Sequence, residues 1–262
     1  MANPFIGHGR LSDAATVTTG NEETTLPASN VQSMQPSKRW RTTNNTNCWI
    51  QFDFGAAVAL DFVAVCSHNG SAADTLRVRA SADSTPTTSP DYDSSTQNLY
   101  PSATKPTWPS WRTHWDSHYV FASTQTWRYW RIDFAVAGSY WEAGRIILGL
   151  RTQLNLQYPF SRGHVPSDVV EITPSGGTLT DGRGRPRAWS FPVDLYEESA
   201  EMAIDEIDAE RGIGDDVYVC EDPDATTYLH RKTMLAVIKT ISPIDRPDYG
   251  VRSKRYDLLE LL

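Results

Sequence analysis

The densest run of side chains suited to recognition chemistry is Trp108-Pro109-Ser110-Trp111-Arg112-Thr113-His114-Trp115-Asp116-Ser117-His118-Tyr119. Flat aromatic faces at Trp108, Trp111 and Trp115 suit the C–H faces of sugar rings, while His114 and the interleaved Arg and Asp can hydrogen-bond hydroxyls. Subunit interfaces are enriched in the same residue types. Trp108, Trp111, His114 and Trp115 are therefore candidates for glycan contact or for a packed interface.

Other constellations point away from metals and catalysis. His114 and His118 have the i,i+4 spacing of a helical metal pair, but Pro109 and the dense aromatics oppose a helix and no Glu follows the first His. Asp91 and Asp93 match no calcium-loop template, and an oxygen cage needs about six or more ligands; a solvated turn is expected. The chain holds no G-x-S-x-G, no H-E-x-x-H and no glycine-rich strand-to-helix phosphate loop. No enzyme, cofactor or metal centre is expected.

Charge is distributed unevenly. Residues 1–150 hold 11 Lys+Arg against 12 Asp+Glu, net −1; residues 151–262 hold 13 against 20, net −7; together they give the chain's −8. With five Lys and no basic block, a nucleic-acid groove is disfavoured, because clustered cations supply most phosphate affinity. Glu201 and Asp205 belong to an acidic run, Glu197 to Glu210, expected on the wet face of a helix. That face either solubilises the protein or docks on a basic patch of a neighbouring subunit, supplied by the alternating Arg183, Arg185 and Arg187. Cys48, Cys66 and Cys220 form no CxxC pair and read as buried free thiols. Residues 1–10 lack the charged start and long apolar run of a signal peptide, and no stretch is long and apolar enough for a membrane helix; synthesis in a cytoplasm is expected.

The elements that would position these residues are mostly strands. Ile50, Phe52 and Phe54 alternate with polar neighbours up to Gly55; Leu60 to Cys66 is continuously apolar; Leu76, Val78 and Ala80 alternate, as do Trp130, Ile132 and Phe134. Residues 1–25 read as an extended arm and Ser81 to Ser117 as a long surface excursion. Beyond Arg151, further strands are interrupted by one helix near 195–211, with an apolar stripe at Ala200, Ala203, Ile204 and Ile207 and Gly212 beyond its end. Tyr228 to Ser242 reads as a strand. The expected architecture is all-β: a β-sandwich over 26–150, then a β-rich domain with one inserted helix over 151–262.

Residues 26–150 resemble the discoidin, or coagulation-factor C-type, domain of the galactose-binding-like superfamily. Leu26-Pro27-Ala28-Ser29-Asn30, Trp49-Ile50-Gln51-Phe52-Asp53-Phe54-Gly55, Tyr129-Trp130-Arg131-Ile132 and Ile146-Ile147-Leu148-Gly149 carry the likeness. It implies a jelly-roll sandwich whose members often bind sugars or lipid head groups in end loops. Residues 151–262 are similar, in order and spacing, to tail-tip proteins of long-tailed bacteriophages, through Trp189-Ser190-Phe191, the acidic helix, Asp216-Val217-Tyr218-Val219 and Asp222-Pro223-Asp224. That likeness implies a structural protein of the virion tail, at the distal tail or baseplate. It would form a ring below the tail tube, a hexamer before a trimer, assembled in the bacterial host cytoplasm beside tube, hub and tape-measure proteins. Its discoidin-like domain would face host-surface glycans. The alternative is a carbohydrate-binding module protein without a tail role.

Overall fold

The computed structural model describes residues 3–262 except 103, 108, 158, 167, 173, 183, 196, 197, 249 and 250. The fold is all-β and antiparallel, with short helices, and divides into two compact units. Unit one is Met1–Gln153 with Asp216–Leu235; unit two is Leu154–Asp215 with Ala236–Leu262. The chain first passes from unit one to unit two after Gln153. The second domain, however, is not one continuous segment, because residues 216–235 belong to unit one.

Unit one begins with β1 (Phe5–Gly7), α1 (Arg10–Ala14), β2 (Thr16–Thr19), β3 (Trp40–Arg41), β4 (Trp49–His68), β5 (Thr75–Ser81), β6 (Tyr92–Asp93) and β7 (Gln97–Asn98). It continues with β8 (Trp115–Ala135), β9 (Glu142–Ala143), β10 (Arg145–Gly149) and β11 (Arg151–Gln153). One sheet has the order β10-β4-β8-β5-β6, with β2 on β4 and β7 on β5. The alternating residues meet across it, Ile50 opposite Ile132 and Phe52 opposite Trp130. Gly55 does not end the strand: at φ +75° its N–H donates to the Asp53 carboxylate (2.8 Å), and the ladder resumes at Val58 after a register shift. A bulge preserves the strand where a turn residue suggested a stop.

The apolar run Leu60–Cys66 is continuous because both faces of β4 are covered. Val63 and Val65 join the core around Trp40, Trp130 and Trp141. Phe62, on the opposite face, packs against Phe5 of β1 and Tyr218, with ring centroids 5.6 and 6.4 Å away. The N-terminal residues are therefore structural rather than a free arm. β1 pairs on one side with β11 and on the other with the strand of Tyr218, and β2 pairs with β4.

A buried charge cluster ties the same segments. The Arg145 guanidinium, 0% exposed, donates to Asp216 (2.6 and 3.1 Å), to Asp13 of α1 and to the Val31 carbonyl (3.1 Å). Burial opposes its charge, but the bonds to Asp13 and Asp216 outweigh this and raise its pKa.

Unit two supplies β12 (Asn155–Leu156), β13 (Ser161–His164), β14 (Val169–Ile172), β15 (Thr178–Asp181), β16 (Arg187–Leu195) and α2 (Glu198–Arg211). The chain returns to unit one with β17 (Asp216–Cys220) and α3 (Leu229–Lys232). It then leaves along β18 (Thr233–Ile241) into β19 (Asp245–Asp248) and β20 (Val251–Glu260). Within unit two the order is β18-β20-β16-β12, with β13 on β16 and β19 on β20. Trp189, Phe191, Val193 and Leu195 alternate inward along β16, over Ile204 and Ile207 of α2. The expected helix is present. Its acids are not uniformly wet, since Glu201 binds Arg246 and Arg252 and Asp208 pairs with the buried Lys254.

Two further expectations change. β8 starts at Trp115, shortening the expected surface excursion, and residues 229–232 form a helical turn where a strand was expected. Cys48, Cys66 and Cys220 are buried free thiols. Among the described residues, no helix is long and apolar enough to cross a membrane.

Candidate functional site

Two loops of unit one enclose a cavity of about 330 Å³, near the lower end of the roughly 300–1,000 Å³ of small-molecule sites. The first loop follows β7. Tyr100 is buried and donates its hydroxyl to the Gly70 carbonyl (3.1 Å), anchoring the loop, and Pro101 and Pro106 restrict the segment that follows. Gly70 is required there, because a Cβ would sit 2.2 Å from Leu99 Cδ2.

The second wall is the turn from β17 into α3. Asp222-Pro223-Asp224 makes the turn expected from the sequence: the Ala225 N–H donates to the Asp222 carbonyl (3.1 Å), and Lys232 pairs with the Asp222 carboxylate (2.6 Å). Tyr228 then adopts a left-handed backbone (φ +58°, ψ +28°) just before α3, rare for a bulky residue and sustained only when the surroundings enforce it. Tyr228 is 60% exposed and lines the cavity, with the Arg231 guanidinium 5.0 Å from its ring centroid.

The floor is charged and compensated. Asp116 of β8 is buried; its carboxylate accepts from the Ser67 N–H (2.9 Å) and from Arg112 (3.0 Å). Beneath the loop, His68 accepts the Gly70 N–H on Nδ1 (3.1 Å), so Nε2 carries the proton and donates to Ser117 (2.8 Å). Burial first, then the charges of Lys105, His114 and Arg112, bring its pKa down to about 3. Ser102, Thr104, Thr107, Thr226 and Thr227 add hydroxyls to a lining that also includes Lys105, His230 and Arg231. An aromatic face, several hydroxyls and cationic groups can stack on and hydrogen-bond a polyhydroxylated ring.

Of the aromatic run singled out from sequence, only Asp116 lines this cavity among the described residues; Trp111, His114 and Trp115 do not. Trp108 lies outside the described residues. Trp111 is 48% exposed. Trp115, 2% exposed, offers no face to a ligand: it is a core residue of β8 whose ring meets His230 edge-on at 5.4 Å, backing the cavity wall. His114 bridges Thr113 (2.8 Å) and Glu142 (3.2 Å), and that bond holds the Glu142 carboxyl below its usual pKa. His118 meets the Tyr218 hydroxyl instead (2.9 Å). Among the described residues no three His, Cys, Asp or Glu cluster as a metal site. Asp91 accepts from Ser81 and the Ala82 N–H, and Asp93 pairs with Arg77, so both organise the β5–β6 connection. Tyr228 and Arg231 were not anticipated; they lie more than a hundred residues from the aromatic run.

In unit two the proposed contact charges are largely satisfied internally. Arg183 lies outside the described residues. Arg185 pairs with Asp168 at the surface (2.6 Å), whereas Arg187 pairs with the buried Glu260 (2.6 Å). Glu201 is held by Arg246 and Arg252, and Asp205 is exposed. What stands open is the hairpin β14–β15, with Val169, Val170, Ile172 and Leu179 exposed by 37%, 59%, 77% and 60%. Ile172 opposite Thr178 places one pair on one face, and Glu171 opposite Leu179 the next pair on the other.

No protein-family model matches the chain, and no curated protein matches it. Solved structures similar to about half of it include chitosan-binding module 1 from a chitosanase/glucanase of Paenibacillus sp. IK-5 (14% identity, TM-score 0.39, 54% of this chain and 98% of that one). Others are the family 32 CBM from C. perfringens NanJ in complex with galactose (12%, TM-score 0.41, 54% and 98%) and the lectin domain of lectinolysin complexed with Lewis B antigen (10%, TM-score 0.38, 53% and 96%).

Proposed function

We propose that this chain is a non-enzymatic structural component of a bacteriophage tail tip, at the distal tail or baseplate, that assembles with copies of itself through unit two. The β14–β15 hairpin carries this reading. It exposes four large apolar side chains on a two-stranded sheet with no further strand on either edge among the described residues. An isolated two-stranded ribbon is marginal in water, and an open apolar edge is a template for pairing. In a closed ring the hairpin of one copy is buried on the next, which removes both liabilities. The tail setting rests on the likeness of residues 151–262 in order and spacing to tail-tip proteins. A hexamer is favoured over a trimer, with tube, hub and tape-measure proteins as neighbours. Native mass spectrometry at micromolar concentration tests the assembly: the wild type should form a closed oligomer and the double substitution Ile172→Asp, Leu179→Asp should be monomeric. A monomeric wild type overturns the proposal.

Saccharide binding by unit one, at a host surface or in a module without a tail role, is favoured by a separate observation: the hydroxyl-lined cavity with Tyr228 at its side. Titration of the whole chain with oligosaccharides, followed by Trp fluorescence, tests it. A flat titration with every sugar class refutes it.

A further inference from the structure

We infer that the unit-one cavity prefers anionic saccharides, those bearing a carboxylate, over neutral ones; this rests on the saccharide-binding reading above. The charge of the lining sets it apart from the rest of the chain. The protein carries 32 Asp+Glu against 24 Lys+Arg, yet the cavity is lined by Lys105 and Arg231 against the single carboxylate of Asp116. That carboxylate does not cancel them: it is buried and compensated by the Arg112 guanidinium at 3.0 Å and the Ser67 N–H at 2.9 Å. The field reaches deeper, since Lys105 and Arg112 both help disfavour a proton on His68 below the loop.

The geometry also separates a sugar acid from a bare anion. Tyr228 presents an exposed ring, and its left-handed backbone holds that ring beside the cation of Arg231 rather than against the core. A pyranose stacked on the ring would bring a C6 carboxylate within reach of a planar guanidinium, whose forked N–H groups match a carboxylate. The ring hydroxyls would meet Thr226, Thr227, Ser102 and Thr104. Phosphate or sulfate alone would gain the cations without the stacking surface.

Trigalacturonate, neutral galactotriose and inorganic phosphate, each titrated into the full chain by calorimetry, test the inference. Trigalacturonate should bind roughly tenfold tighter than the neutral trimer, which is about 1.4 kcal/mol. That advantage should shrink as salt rises to roughly 0.5 M, where charges are screened within a few ångströms. Arg231→Gln with Lys105→Gln should equalise the two sugars. Tyr228→Asn, which keeps a residue tolerant of the left-handed conformation, should weaken both. Equal affinity of the wild type for both sugars overturns the inference and leaves saccharide binding standing. Phosphate binding as tight as trigalacturonate overturns it too, marking a simple anion site, and no binding of any sugar removes the reading on which it rests. The comparison of ligands on the wild type does not depend on any variant folding.

Discussion

The two units solve the same problem, burying the apolar faces of antiparallel sheets, to different degrees. Unit one closes on itself. Trp40, Trp115, Trp130 and Trp141 are all buried there, β4 is covered on both faces, and a buried guanidinium joins α1, β10 and β17. Unit two buries one face of β16 and β20 beneath α2 but leaves the β14–β15 hairpin with its apolar residues in water. Exposed apolar patches on otherwise well-packed proteins mark places where something else binds. The contrast teaches that unit one has a complete interior, whereas unit two keeps an apolar hairpin in water, the feature on which the proposed assembly rests.

Breaking unit one should have the largest effect. Arg145→Ala removes the buried guanidinium that Asp13 and Asp216 share, and breaking a buried ion pair costs about 3–5 kcal/mol. Urea unfolding followed by Trp fluorescence, to which eight of the nine Trp contribute from unit one, should show it. A loss under about 1 kcal/mol would mean that the cluster does not hold these segments together.

Acid should follow. His68 has a folded pKa of about 3, below the roughly 6.5 of an unfolded histidine. Its contribution is complete above pH 6.5 and is lost as pH falls from there toward 3, by up to about 1.4 kcal/mol per pH unit. Unfolding midpoints at pH 7.5, 5.5 and 4.5 should fall more steeply in the wild type than in His68→Gln; parallel slopes would remove His68 from the account.

In unit two the effects on the monomer should be small. Ile172→Asp should change its stability by no more than about 0.5 kcal/mol, as for exposed positions, while preventing association. Arg185→Ala should cost less than about 1 kcal/mol, since its pair with Asp168 is at the surface. If either destabilised the isolated chain as much as Arg145→Ala, the hairpin would belong to a core and the contrast between units would fail.

Much of the fold was legible because burial leaves a period in the sequence. Ile50 and Phe52, Trp130 and Ile132, and Phe191 and Val193 alternate since one face of each strand is wet or differently packed. The unbroken run Leu60–Cys66 announced two covered faces. The sequence could not say what covers the second: β1, expected as an arm, and β17, more than a hundred and fifty residues away. Gly55 suggested a stop because residue type alone does not separate a turn from a bulge. The helical turn at 229–232 was missed because nothing in Tyr228 announces a left-handed backbone. The cavity was half legible. Its neighbours at 111–116 stood out by composition, while its Tyr228–Arg231 wall is joined to them only through tertiary structure.

The three crossings of the chain between units bear on how the protein can be divided. A fragment ending at Gln153 would lack β17, so Phe62 would lose Tyr218 and Arg145 would lose Asp216. A fragment starting at Leu154 would carry that strand without its neighbour β1. No single cut in the gene yields either unit whole, so a separable unit one has to be built by grafting residues 216–235 back onto 1–153.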